Sequence, residues 1–299
     1  MSNARSKTEK ALRDIEKRIS SLYEQAEKEL NAKWLSFMRQ QEPKIEKAYK
    51  QFVDAQISGS RKDIESAKAE YERMMKKLTI GNERYKALVN ETTDKLARTN
   101  ESALNYINDK MSEIYLVNYN DFANNKIKGY SFTLMNQETL DNLAKKDKAF
   151  IPQKYLDKYK DKAWNHKQIN SQVFQGILQG ESITDIAKRL GNVTGMNESA
   201  SIRNARTMVT AAENKGKQDS CEKAHEDGVL MVRKWIATLD ERTREAHAEL
   251  DGVEVEIDEP WENEYGEIMY PGDPAADPAN TYNCRCTFIT EIKGFKWRD

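Results

Sequence analysis

The N-terminal stretch places Leu12, Ile15, Ile19, Leu22, Ala26, Leu30 and Trp34 at steps of three and four, which puts them on one face of a helix. After Ala26 the steps settle at four, so the 3.5-residue period that keeps a coiled-coil seam facing its partner is lost. The pattern therefore predicts a helix packed in a bundle. Pro43 is expected to restart the helix, with Ile45, Tyr49, Phe52, Val53 and Ile57 continuing the stripe until Ser58-Gly59-Ser60 ends it. A third helix is expected over 63–78. Beyond Gly81 a longer one is expected over 83–117, on Leu88, Thr92, Leu96, Leu104, Ile107, Met111 and Ile114. At 1.5 Å per residue that segment reaches about 50 Å, which implies an elongated helical body.

From Tyr119 to Lys162 the period loosens, with Asn124, Asn125 and Gly129 marking a loop. Helical spacing returns at Ile169, Val173 and Ile177, and Gly180 is expected to end that segment. Ser182 with Asp185 resembles an N-terminal capping signal for a helix on Ile183, Ile186, Ala187 and Leu190, which Gly191 is expected to stop. Another helix is expected from Asn197 to about His225, with Ile202, Ala205, Val209, Ala212 and Cys221 near one face. After Gly228 the period becomes extended. Val229 to Ala237 is rich in β-formers, Val253 to Ile257 alternates as a half-buried strand does, and Tyr282 to Thr290 is expected as a last strand. Asp240 to Leu250 is a short helical candidate between the first two. The fold class expected is mainly α with a small C-terminal α+β domain. The expected divisions are an elongated helical region over 1–118, a helical region with a Lys-rich loop over 119–227, and the small domain over 228–299.

Composition narrows the function classes. The chain has 299 residues, 38% hydrophobic and 32% charged, with a mean hydropathy of -0.87. No apolar run approaches the roughly 18 residues a spanning helix needs, and the first residues lack the apolar segment of a signal peptide, so neither a membrane span nor signal-peptide secretion is expected. Three cysteines in so long a chain argue against a disulfide framework. The net charge of -1 hides an asymmetry: residues 237–299 hold 6 Lys+Arg against 16 Asp+Glu, and the rest of the chain is correspondingly basic. Four of the six prolines fall between Pro260 and Pro278, in keeping with a turn-rich C-terminal unit.

That unit also carries the residues of chemical interest: Asp240, Arg242, Arg244 and His247, then Asp251-Gly252, then Pro271-Gly272-Asp273-Pro274 after Tyr270, then Asn283-Cys284-Arg285-Cys286. In this order they resemble the C-terminal signature of the phage head morphogenesis proteins, the phage Mu F-like minor head family. The segments Gln179–Leu190 and Ala205–Gly216 resemble that family as well, and the resemblance covers about residues 165 to 290. It implies a noncatalytic virion component at the portal vertex, made in the host cytoplasm, with portal, capsid and scaffold proteins as partners and packaged double-stranded DNA within reach. One departure stands out. Several members have His-Pro before Asn-Cys-Arg-Cys, where this chain has Thr281-Tyr282, so a ligand set using that histidine does not apply here.

Two chemical readings of these residues stand beside the resemblance. Zinc would take Cys284, Cys286 and His247, with Asp240 or Cys221 as fourth ligand. Alternatively, Cys-x-Cys on a strand points both thiols to one face, where they serve core packing. A metal-dependent hydrolase or nuclease would use His247 as general base, oriented by Asp240 or Asp251, with the two cysteines nearby. Against it, no nucleophile motif or P-loop is present, and His247 with the two arginines would equally tie the short helix to the acidic loops. The Pro271–Pro274 turn suits either a binding loop or a tight turn that delivers the chain to the final strand. The acidic stretch Glu254 to Glu267, with Trp261 and Tyr265, suits either an interaction surface or a solvated face. DNA contact would fall on Lys145, Lys146, Lys148, Lys154, Lys158, Lys160 and Lys162, interleaved with Phe150, Tyr155, Tyr159 and Trp164. Asp147, Asp157 and Asp161 alternate with those lysines, as on a solvated face.

Overall fold

The computed structural model describes residues 3–78, 81–125, 134–147, 149–179, 181 and 183–296. Its helices are α1 (Asn3–Ser58), α2 (Arg61–Leu78), α3 (Glu83–Asn125), α4 (Gln137–Lys146), α5 (Lys158–Leu178), α6 (Ile183–Glu226), α7 (Glu245–Ala248) and α8 (Pro278–Thr281). Its strands are β1 (Val229–Ile236), β2 (Glu254–Glu256), β3 (Trp261–Asn263), β4 (Gly266–Ile268) and β5 (Thr287–Phe295). This is the expected class, mainly α with a small C-terminal α+β portion.

The described residues gather into two compact units. One consists of Met1–Arg18, Ala103–Tyr155 and Ser201–Asp299; the other consists of Ile19–Ser102 and Leu156–Ala200. Helices α1, α3 and α6 contribute residues to both. In the second unit Trp34 and Met38 of α1, Tyr71 and Met75 of α2, Val89 and Leu96 of α3, Ile169 and Val173 of α5, and Ile186 and Val193 of α6 form one apolar cluster. Ser60 caps α2: its hydroxyl lies 2.6 Å from Asp63 Oδ2, and the same carboxylate accepts the Ser60 amide at 2.9 Å.

Two expected breaks are absent. Pro43 lies inside α1, although it lacks the amide that would bond the carbonyl four residues back. The helix persists because Met38 and Ala48 are buried on either side and Ile45 and Phe52 pack on the same cluster. Gly191 does not stop α6, and no new helix begins at Asn197. A glycine inside a helix costs only about 1 kcal/mol, less than the burial of Ile186, Leu190 and Val193 on a common face returns. Helix α3 likewise runs on to Asn125 through two expected loop markers, and α4 lies in the stretch read as irregular. Gly129, Gly180 and the Ser182 cap fall outside the described residues.

A chain of buried amides crosses the second unit. Tyr23 on α1 donates to Asn100 Oδ1 on α3 at 2.5 Å, and Asn100 Nδ2 donates to Asp161 of α5 at 2.7 Å and to Asn197 Oδ1 of α6 at 2.8 Å. Asn197 Nδ2 in turn donates to Asn165 Oδ1 of α5 at 2.8 Å. Four helices therefore have a fixed register, since a one-residue slip would leave several buried polar atoms unpaired.

In the first unit β1 is the centre of a three-stranded antiparallel sheet, flanked by β2 (Val232 opposite Glu256) and β5 (Trp235 opposite Phe288). Strands β3 and β4 form a separate hairpin inside the stretch read as an acidic loop. The last strand starts at Thr287, so Cys284 and Cys286 precede it. Of the helix expected over 240–250, only α7 forms. The core under the sheet includes Met231, Trp235, Leu250, Trp261, Ile268, Cys284, Cys286 and Phe288, closed by Cys221 and Ala224 of α6. Gly216 of α6 lies where a Cβ would collide with the Tyr115 carbonyl of α3, so only glycine lets the two helices approach this closely.

Burial pushes the Asp161 carboxyl above its ordinary value of 3.8, against the hydrogen bonds from Asn100 and Asn165 that favour its charge. The folded chain thus holds this proton more tightly than the unfolded chain does. The contribution of Asp161 to stability falls as pH rises from the ordinary carboxyl range through the raised folded value, then stays low. Asp161→Asn keeps an acceptor and removes the charge. Urea unfolding at about pH 4 and about pH 7 should show the variant gaining on the wild type as pH rises; a variant that loses ground would contradict dominance of burial.

Candidate functional site

The site is built on the last turns of α6. Thr207, Thr210, Asn214 and Gln218 recur at steps of three and four, so they share one face, and each is buried. All four bond the C-terminal segment. Thr207 Oγ1 accepts the Asn283 amide at 2.8 Å, and Thr210 Oγ1 donates to the Cys284 carbonyl at 2.8 Å. Asn214 Nδ2 donates to the Pro271 and Cys286 carbonyls at 3.0 and 3.2 Å, while its Oδ1 accepts from Thr287 at 2.9 Å. Gln218 Nε2 donates to the Ile257 carbonyl at 3.1 Å. The sequence reading followed the apolar residues of this helix and missed the polar stripe, which was visible as the 207, 210, 214, 218 spacing.

Arg233 on β1 was also missed. It is 0% exposed, and all five of its N–H groups are used. Nε and Nη2 donate to the Glu256 carbonyl at 3.2 and 3.1 Å, and Nη1 donates to Gln218 Oε1 at 2.7 Å. Further bonds reach the Met269 and Glu259 carbonyls. The guanidinium stacks 4.6 Å from the Trp261 ring centroid. Burial pushes its pKa down to about 10, which leaves it protonated at neutral pH.

His247, Cys284 and Cys286 come together in the same core, 2%, 2% and 4% exposed. His247 Nδ1 lies 3.7 Å from Cys284 Sγ and 3.5 Å from Cys286 Sγ. Its Nε2 lies 3.3 Å from Asn280 Oδ1, and its ring packs edge-on against Trp235. The two cysteines reach it from the extended segment before β5, where Asn283 takes a left-handed φ of 56°, rather than from a strand face. Hydrogen bonding with Cys284, aided by His247, pulls the Cys286 thiol below its ordinary value. The same bond, with burial, pushes the Cys284 thiol up.

The other motif residues have structural engagements. Asp240 is held by Arg285 through two 2.6 Å bonds, which keep its carboxyl well below the usual range, and no bond joins it to His247. Its Oδ1 also accepts the Arg242 amide at 3.0 Å. Arg244 donates to the Tyr282 carbonyl. Asp251 accepts the Ala237 amide at 2.8 Å, beside Gly252 with φ +82°. In the turn, Asp273 Oδ1 accepts the Ala275 amide at 2.9 Å, Pro274 is exposed, and Gly272 has φ +83°. A Cβ on Gly272 would meet the Ala211 amide nitrogen at 3.0 Å and Thr210 Cγ2 at 3.1 Å. The turn is thus seated on α6. Cys221 lies buried on α6 outside the histidine-cysteine group.

The lysines have varied surroundings. Lys158 pairs with Glu101 at 2.6 Å, Lys162 with Asp94 at 2.7 Å and Lys160 with Asp157 at 3.4 Å. Lys154 donates to Asn204 at 2.6 Å and lies over the Tyr282 ring. Lys145 and Lys146 occupy the last turn of α4, where cations suit the helix dipole. Lys148 falls outside the described residues. Phe150 packs on Tyr115 at 5.5 Å, whereas Tyr155, Tyr159 and Trp164 are exposed. Among the described residues no helix is long and apolar enough to cross a membrane.

Comparison with known proteins places residues 167–289, from α5 into β5, in a match to the family described as Phage Mu protein F like protein. Over 122 residues the chain is 30% identical to the minor head protein GP7 of Bacillus phage SPP1, covering 41% of this chain and 39% of that protein. Over 147 residues it is 32% identical to a protein of Enterococcus faecalis named NAD(+)-arginine ADP-ribosyltransferase EFV, covering 47% of this chain and 28% of that one. A Haemophilus influenzae protein is 28% identical over 144 residues, 46% of this chain and 26% of its own length. The matches thus span between about a quarter and two fifths of these relatives. No solved structure matches.

Two substitutions test the seating on α6. Gly272→Ala combines a left-handed backbone with a clash against helix backbone and should cost about 1–3 kcal/mol. Asn214→Ala removes the acceptor of the Thr287 hydroxyl and the shared donor to the Pro271 and Cys286 carbonyls and should cost about 2 kcal/mol or more. Urea unfolding midpoints report both, and an unchanged midpoint for either would mean that α6 is not the platform.

Proposed function

From the match of residues 167–289 to the family described as Phage Mu protein F like protein, we propose that the protein is a structural minor head protein of a tailed phage or prophage. It acts in head morphogenesis by docking on portal, capsid and scaffold proteins, is made in the host cytoplasm and ends in the virion. The observation that carries this reading is the match over 167–289, joined by the 30% identity to a minor head protein over 122 residues. The structure supports a noncatalytic role. Asp240 and Asp251, the carboxylates that a hydrolytic His247 would use, are committed to Arg285 and to the Ala237 amide, and Asp273 of the turn bonds the nearby Ala275 amide. The transferase activity in the name of the Enterococcus relative goes with a protein of which the match spans 28%, and it forms no part of this proposal.

Contact with packaged duplex DNA belongs to the same proposal, in a limited form. Lys158, Lys160 and Lys162 are already paired with carboxylates, so phosphate contact there competes with internal ion pairs. Exposed Tyr155 and Tyr159 favour it.

Three outcomes test the proposal. A mass-spectrometric inventory of procapsids and virions from a producing strain should contain the chain at low copy number, and its absence from both particles would contradict the assignment. Duplex DNA affinity should fall steeply between 50 and 200 mM salt; an affinity independent of salt would remove the DNA contact. Purified protein should cleave DNA no faster than its His247→Ala variant.

A further inference from the structure

The tautomer of His247 can be read from its surroundings. The Tyr265 amide donates to Asn263 Oδ1 at 2.9 Å, and a backbone N–H requires an oxygen there, so the Asn263 side chain has one orientation. Asn263 Nδ2 then donates to Asn280 Oδ1 at 2.9 Å, and Asn280 Nδ2 returns a bond at 3.2 Å. The Asn280 atom facing His247 Nε2 is therefore an acceptor, and Nε2 carries the proton. Nδ1, on the other side of the ring, lies between two sulfurs.

Both sulfurs lie at nearly equal distances from Nδ1, 3.7 and 3.5 Å, and the three donor atoms all lie within 4.8 Å of one another. Zinc bonds of about 2.3 Å to sulfur and about 2.0–2.1 Å to nitrogen, at tetrahedral angles, give a nitrogen-to-sulfur edge of about 3.6 Å. The two nitrogen-to-sulfur distances bracket that value. Cys284 Sγ also receives a backbone amide of the kind that stabilises a thiolate: Cys286 N–H points to it at 3.4 Å. A histidine whose far nitrogen donates to a fixed acceptor is the usual supporting arrangement of a metal ligand.

We infer that His247 Nδ1, Cys284 Sγ and Cys286 Sγ bind one zinc ion. Two sulfurs and an imidazole favour a soft-to-borderline cation over magnesium or calcium. Asp240 and Cys221, the fourth ligands considered from sequence, take no part. The ion ties α7 to the segment entering β5, and so to the Thr210 and Asn214 bonds on α6. Its role is structural.

Full-length protein purified without chelator should contain about one zinc per chain by inductively coupled plasma mass spectrometry. Cys284→Ser/Cys286→Ser and His247→Ala should each lower zinc affinity at least about tenfold, whereas Asp240→Ala should retain it. Should the triad variants fail to fold, the wild type carries the test alone. Chelator-treated wild type should regain its thermal midpoint on adding zinc, and cobalt in place of zinc should give thiolate-to-metal charge-transfer absorption. Folded wild type that holds less than about a tenth of a zinc per chain before and after zinc addition would overturn the inference, as would zinc that persists in the double serine variant.

Discussion

The C-terminal region depends on a buried guanidinium. Arg233 has five N–H donors and is 0% exposed, so the chain must bring acceptors for all five to one point: four oxygens, of which the Glu256 carbonyl takes two bonds. They come from three places distant in sequence: Gln218 on α6, the 256–259 turn after β2, and Met269 at the exit of the β3–β4 hairpin. None of the acceptors is charged. The cation is held by aligned dipoles and by the Trp261 face, and leaving any one acceptor misplaced would cost about 1–3 kcal/mol. The constraint selects one arrangement of sheet, hairpin and helix among the many that would bury the same apolar area.

The polar face of α6 extends the same logic. Its residues bond backbone groups of segments that have little regular structure, the 271–274 turn and the 283–287 stretch, which otherwise would present unpaired carbonyls and amides to a core. Irregular backbone can be buried here because a helix supplies the missing partners. The second unit uses buried amides between helices for a related end, with Tyr23, Asn100, Asn165 and Asn197 setting the register of helices whose apolar faces alone would tolerate sliding.

Much of the helical pattern was legible because burial writes a 3.6-residue period into the sequence; Leu88 to Ile114 and Ile169 to Ile177 are examples. The helix ends were less so. Pro43 and Gly191 carry local penalties of a few kcal/mol at most, and the packing of residues up to 150 positions away decides whether they are met. The C-terminal residues were legible as an ordered set but not in their roles. Asp240 pairs with Arg285 across 45 positions, and nothing local in the sequence indicates that it serves a neighbouring loop instead of His247. The closeness of His247 to both cysteines was anticipated, while the geometry that creates it, a left-handed Asn283 seated on Thr207, was not. Arg233 was hidden for a simple reason. An arginine in a strand of β-formers reads as an outward-facing residue, and only the carbonyls converging on it reveal otherwise.

The polar groups inside the C-terminal region make α6, the sheet, the hairpin and the Asn-Cys-Arg-Cys segment one cooperative unit. Hydrogen exchange on full-length Arg233→Met beside the wild type is the decisive test. Amides of 207–218, 229–236, 261–268 and 283–287 should lose protection together and to a similar extent. A loss confined to the 256–259 turn, with the other segments protected as in the wild type, would contradict it.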